Sequence, residues 1–276
     1  MLPDKFAFNR GAVRPFVCLR EGWGLIRDAY ALFLGITFLG VLIAGLGPMG
    51  MLIGPCMCGI HLCLLRHERW LRVSFDMLFN GFHYFVQSLI AAMFIIVPGI
   101  IAFFVAYIGS IICGIVIGAN LEEMGRNQHG DTTLPIILAC VIAVLVLGFI
   151  GFQLLLQVLF FFTFPLIVDR EMPGIEALKL SYRAGMANWG GLLGLILLTM
   201  LLDLAGLLMC YVGVFLVMPI HYAMVTIAYR QVFPVGEDQF APPPFESESP
   251  LDSPPASIRG GESTGISAAP RDQISL

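Results

Sequence analysis

Charge is scarce in this chain and unevenly placed. Only 12% of its 276 residues are Asp, Glu, Lys or Arg. Five long runs, residues 32–65, 82–119, 134–168, 192–210 and 212–227, hold one acidic residue, Asp203, and no Lys or Arg. A soluble domain carries about a quarter charged residues, so these runs exclude an ordinary water-facing surface over most of the first 230 positions. Alternating apolar and polar segments are also missing, which excludes an outer-membrane barrel pattern. The amino terminus has no short apolar region with a cleavage site, so it does not read as a removable signal peptide. There is no Gly-rich phosphate loop, Gly-x-Ser-x-Gly, His-Glu-x-x-His or pair of intramembrane carboxylates. An enzyme is therefore the least favoured class, and no cofactor or metal is expected. Seven cysteines form no spacing that reads as a disulfide framework.

What the chain has is apolar length. Hydrophobic residues make up 58% of it, and the mean hydropathy is +0.87. A bilayer core about 30 Å thick takes about 20 apolar residues per helical crossing, so the runs predict an all-α polytopic transmembrane helical bundle. Lipid offers no hydrogen-bond partners, and continuous runs of this kind satisfy their backbones only as helices. The net charge of −4 carries little information, because orientation follows the placement of Lys and Arg and hardly depends on Asp and Glu.

That placement predicts a topology. Lys5, Arg10, Arg14, Arg20 and Arg27 precede the first run; Arg66, Arg69 and Arg72 follow it; Arg170, Lys179 and Arg183 precede the fourth; Arg230 follows the last. The positive-inside rule puts all of these in the cytoplasm. Gly45, Gly47, Pro48 and Gly50 break the first run into a hairpin, and the last pair turns near residues 206–213. Pro98-Gly99 admits two readings: a hairpin turn, giving eight spans, or a kink in one long tilted helix, giving six. Six is favoured, because it leaves the basic-poor loop 122–131 outside. The domains expected are a cytoplasmic amino-terminal segment, 1–27, a transmembrane domain, 28–233, and a disordered Pro/Ser/Glu-rich cytoplasmic tail, 234–276, with too little apolar surface to offset the entropy of ordering. The tail could recruit a soluble partner, although a solubilising tail without one is the simpler reading. Apart from that and the lipid bilayer, no partner is expected, nucleic acid included.

An amphipathic stretch leads into each outward-going helix. In residues 20–33, Trp23, Ile26 and Tyr30 oppose Arg20, Arg27 and Asp28. In 75–82, Phe75, Leu78, Phe79 and Phe82 lie beside Asp76 and Asn80. After Pro173, Ile175, Leu178 and Tyr182 form one face and Glu176, Lys179 and Arg183 the other. Such segments are expected in the headgroup plane. Pro55 and Pro219 each precede an arginine, Arg66 and Arg230, by the same spacing, which suggests a duplicated hairpin. The segment 168–189, VDREMPGIEALKLSYRAGMANW, with Asp169 after a span, then Glu176-Ala177-Leu178 and Ser181 on a helix and a Gly-rich start to the next hairpin, resembles a linker in a broad group of bacterial membrane proteins of unknown function. Relatives of that group form the membrane domain fused to some glycerophosphodiester phosphodiesterases. The resemblance implies six helices with both termini inside; the phosphodiesterase activity is not carried over, because this chain shows no soluble catalytic domain.

Few residues could carry chemistry. Asp203, as an ionisable group within a span, is the candidate for transport or binding of a small polar or cationic species; an interfacial carboxylate near the end of the fifth span is the alternative. His61 and His221 could face each other as haem or metal ligands but lack a partner spacing. Cys56 and Cys58 would point about 200° apart on a helix, so with Cys63 they read as small packing residues. Gln87, Gln153 and Gln157 read as interhelical hydrogen-bonding groups. Ala102, Ala106, Ser110, Gly114 and Gly118, one small residue every four, and Gly190 and Gly194 predict close helix packing. The leading functional expectation is a non-enzymatic protein that scaffolds or organises the membrane; the competing class is a small-solute or lipid transporter using Asp203.

Overall fold

The computed structural model describes residues 7–47, 50–126, 133–209 and 212–234, with the side chains of 123–126 left aside. Within them the chain is helical and has no strand. The helices are α1 (Pro15–Ile26), α2 (Tyr30–Leu46), α3 (Ile53–Glu68), α4 (Phe85–Arg126), α5 (Thr133–Leu159), α6 (Thr163–Arg170), α7 (Gly174–Ala187), α8 (Trp189–Leu208) and α9 (Val212–Val232), with 3-10 segments at Arg27–Ala29 and Phe75–Tyr84. The chain is thus an all-α membrane protein. Five helical stretches, Pro15–Leu46, Phe75–Glu122, Thr133–Arg170, Trp189–Leu208 and Val212–Val232, are long and apolar enough to cross a bilayer. The sixth crossing expected from sequence falls on α3, which has only 16 residues. The expected tail, 234–276, lies almost wholly outside the described residues.

Local chemistry sets the breaks. Gly50, at φ +74°, supplies the left-handed residue of the turn from α2 to α3. Pro173 fixes the backbone immediately before α7. Pro98 does not make a turn: it lies inside α4, a single helix of 42 residues, about 63 Å long at 1.5 Å per residue. The hairpin reading of Pro98-Gly99 is therefore not adopted.

The three amphipathic lead-ins are present as α1, the segment Phe75–Tyr84 and α7. Each packs on the returning helix of the preceding hairpin: Phe75–Tyr84 on α3, and α7 on α5 and α6. α1, the first helix among the described residues, packs on α9 and so closes the series into a ring. Each contact is backbone-close at a glycine. A Cβ on Gly22 would sit 3.1 Å from the Met224 nitrogen, one on Gly81 2.6 Å from the Gly59 Cα, and one on Gly185 2.5 Å from the Val158 carbonyl oxygen. The lead-ins therefore run against helices of the bundle, and their buried faces combine small residues with aliphatic ones, such as Gly22 with Ile26 and Gly81 with Leu78. On α7 the buried residues are Gly174, Ala177, Leu178, Leu180, Ser181, Ala184 and Gly185, so of the apolar face expected from sequence Leu178 is buried while Ile175 and Tyr182 are exposed.

The expectation of close packing along the four-residue stripe needs correction. Ala102, Ala106 and Ser110 are half-buried, but Gly114 and Gly118 face away from the rest of the chain and a Cβ on either would meet nothing. A strict four-residue step advances 400°, or 40° beyond a full turn, so the row winds off the face that meets α5. The contact instead passes through Gly109, where a Cβ would lie 2.9 Å from Leu145. Likewise Gly190 is open. Its neighbour Gly191 lies against Val13, and Gly194 against Pro15 at 3.1 Å. These contacts predict that Gly81→Ala destabilises the protein by about 1–3 kcal/mol through overpacking against backbone, while Gly114→Ala leaves the unfolding midpoint unchanged or raises it. Equal midpoints for the two variants in detergent unfolding would contradict the packing described.

Candidate functional site

Two polar sites stand out against the apolar helices. The first joins the ends of α3, α6 and α9, the closing helices of the three hairpins. Asp169, 7% exposed, accepts a charge-assisted bond from Arg69 Nη2 at 2.5 Å and a forked pair from Arg230, Nη1 to Oδ2 at 3.2 Å and Nη2 to Oδ1 at 3.4 Å. Tyr229 donates its hydroxyl to Oδ2 at 2.8 Å. Arg230, 11% exposed, also binds Glu68 through Nε at 2.6 Å. Two carboxylates and two guanidiniums make the cluster neutral, and such mutual pairing is what lets buried charges persist. Arg170, one residue on, lies over the Phe233 ring at 5.0 Å.

The amino-terminal segment before α1 is tied to the same end. Asn9 N donates to the Val232 carbonyl at 2.8 Å, Ala12 N to Asn188 Oδ1 at 2.9 Å and Arg14 N to Gln231 Oε1 at 3.0 Å. The beginning and the end of the helical domain are thus hydrogen-bonded to each other.

The second site lies deeper. His61 on α3 is 4% exposed, and its Nδ1 has no hydrogen-bond partner. Tyr222 on α9 presents its ring edge-on at 5.8 Å, and His221 lies against the same tyrosine at 5.8 Å. Asp203, on α8, is half-buried and within Coulombic reach of His221, which is in turn within reach of His61. His61 of α3 thus meets Tyr222 of α9, the residue after His221, while Asp203 stands on a third helix, α8. Among the described residues no group of three or more His, Cys, Asp or Glu side chains could hold a metal ion. Cys56, Cys58 and Cys63 are buried as free thiols.

The glutamines divide. Gln87 Oε1 accepts from Gly174 N at 2.8 Å, joining α4 to α7; Gln153 lies beside Gly99; Gln157 is exposed. Sequence reasoning put Arg69 and Arg230 on one common side without pairing them, and it overlooked Glu68 and Tyr229; the structure brings both arginines to Asp169. A carboxylate directly after a span, Asp169, was the available signal. Arg66, matched with Arg230 by spacing, instead meets Met77 Sδ at 4.0 Å.

Comparison with known protein families, curated proteins and solved structures finds no match. The cluster's geometry predicts that Tyr229→Phe, which removes one hydrogen bond to a charged acceptor, costs about 2 kcal/mol of stability. A loss below about 0.5 kcal/mol in reversible unfolding would leave the hydroxyl without a role.

Proposed function

We propose that this chain is a non-enzymatic six-span protein of the cell membrane that organises one leaflet through its three short lead-in helices. The observation that carries the proposal is the kind of surface each element exposes. The long helices expose apolar side chains almost alone. The lead-ins expose bulky apolar and charged groups together: Phe16 and Trp23 beside Arg20 and Arg27, Phe79 beside Asp76, and Ile175, Tyr182 and Met186 beside Lys179 and Arg183. A surface mixed in this way suits the boundary between headgroups and acyl chains.

Parity supports six crossings. Because Asn9 is bonded to Val232, the two ends of the domain share a face, and an even number of crossings is required. Five long stretches alone would leave the ends opposed, so α3, paired with α2 in a hairpin, supplies the sixth. Arg and Lys on the connecting segments favour the cytoplasm for that face. The resemblance of residues 168–189 to the bacterial membrane group points the same way. A soluble partner for the tail remains part of the proposal. The competing reading, passage of a small solute or lipid past Asp203, draws on the nearness of Asp203, His221 and His61.

Two measurements test the proposal. A cysteine placed at Asn127 is expected to label only from the outer face; labelling from the cytoplasmic face alone would contradict six spans. Trp23, Trp70 and Trp189, the chain's three tryptophans, are all exposed, Trp70 at 94%. In reconstituted vesicles, lipids brominated next to the headgroup should quench this fluorescence more than lipids brominated at the chain ends. The reverse order would place these tryptophans, Trp23 of α1 among them, in the bilayer interior and contradict an interfacial position for that lead-in.

A further inference from the structure

We propose that the turn closing α3 is a lipid anchor, with the indole of Trp70 in the boundary between headgroups and acyl chains and Arg72 on the phosphate of an anionic lipid. This rests on the leaflet reading above and names a lipid contact within it.

The turn is an ordinary helix ending with an unusual residue in it. Trp70 N donates to the His67 carbonyl at 2.9 Å and Leu71 N to the Arg66 carbonyl at 3.1 Å. These are the paired bonds of a Schellman ending, whose left-handed position is usually glycine. Trp70 occupies that position at φ +60°, where a bulky side chain is strained and glycine is not. Its side chain adds no packing in return, because the residue is 94% exposed. Glu171, the other non-glycine residue with left-handed backbone among the described residues, has Tyr84 within side-chain reach.

The turn is held on both sides. His67 Nε2 bonds to the Leu25 carbonyl at 3.0 Å, and its ring meets Phe33 edge-on at 5.0 Å. Glu68 and Arg69 belong to the ionic cluster, and Val73 packs on the core between α2 and α3. Between these fixed points Trp70, Leu71 and Arg72 are exposed. An indole fixed on a strained turn and left without packing is preorganised for a contact outside the chain.

Position and charge identify that contact as lipid. The turn directly follows a helix of a membrane hairpin, and Phe75 and Phe79, 47% and 52% exposed, continue its apolar surface into the second lead-in. An indole, apolar in body and polar at its N–H, suits the membrane–water boundary. Arg69 is held by Asp169. Arg72 is exposed and Arg66 meets Met77 Sδ at 4.0 Å; neither forms an ion pair among the described residues. Glu68 is taken by Arg230, which leaves Asp76, exposed on the next segment, as the opposing carboxylate. The excess charge is positive and complements an anionic headgroup.

The test uses the full chain with Trp23→Phe and Trp189→Phe, so that Trp70 is its one tryptophan. It is reconstituted in vesicles that contain either phosphatidylcholine or phosphatidylglycerol brominated next to the headgroup, at equal low fraction. Both lipids are expected to quench Trp70, the anionic one about fivefold more effectively, the scale of one arginine at an anionic surface. Arg72→Gln should bring the two lipids to parity. Emission that neither lipid quenches would overturn the proposal and point to a soluble partner for the turn; equal quenching by the two lipids while Arg72 is present would also overturn it. Trp23, isolated by Trp70→Phe with Trp189→Phe, reads the leaflet proposal separately: quenching there with none at Trp70 sinks this inference alone. Trp70→Asn, a residue that tolerates left-handed backbone, should hold or raise the thermal midpoint in detergent. A fall of more than about 4 °C would mean that the indole packs within the fold, and would overturn the anchor.

Discussion

Asp169 is the point on which the helical domain closes. Its carboxylate sits at the end of α6 with Arg69, from just after α3, and Arg230 and Tyr229, from α9, directed at its two oxygens. A carboxylate this buried is expensive alone, and so are two guanidiniums. Together, with Glu68 on the second arginine, they are neutral and each holds the others in place. Hydrophobic burial cannot supply such a fixed point in a membrane, because lipid tails are as apolar as the side chains facing them.

Around that point the three hairpins are arranged cyclically. Each lead-in helix rests on the closing helix of the hairpin before it, and α1 rests on the last, α9. Gly22, Gly81 and Gly185 allow backbone contact, one on each lead-in, which gains dispersion where solvent exclusion gains little. Ser181 shows the same economy of polar groups: its hydroxyl accepts from Phe162 N and donates to the Leu159 carbonyl, satisfying the break between α5 and α6. The ring, the cluster and the bonded chain ends are one constraint seen at three scales.

The helical class and the three lead-ins were legible because both rest on the spacing of apolar residues along a single segment. α4 was ambiguous at Pro98 because proline is tolerated inside membrane helices and in turns alike. The stripe ending at Gly118 misled because spacing of four approximates a helical face for only about two turns. Asp203 was legible as an isolated charge, but its nearness to His221 depends on the register of α8 and α9, which no single segment encodes. The ionic cluster was hidden for the same reason: Glu68, Asp169 and Arg230 are joined across separations of 61 to 162 residues, and a count of arginines in loops assigns a side of the membrane without assigning partners.

The most direct test of this account is a double-mutant cycle on Asp169 and Arg230, with Asp169→Asn, Arg230→Gln and the pair compared in reversible unfolding in mixed micelles. The account predicts that each single variant loses about 3 kcal/mol or more, and that the double variant loses less than the sum by a coupling of at least about 1.5 kcal/mol. Losses that add to within about 0.5 kcal/mol would mean the two side chains do not act together, and would contradict a domain closed by this cluster.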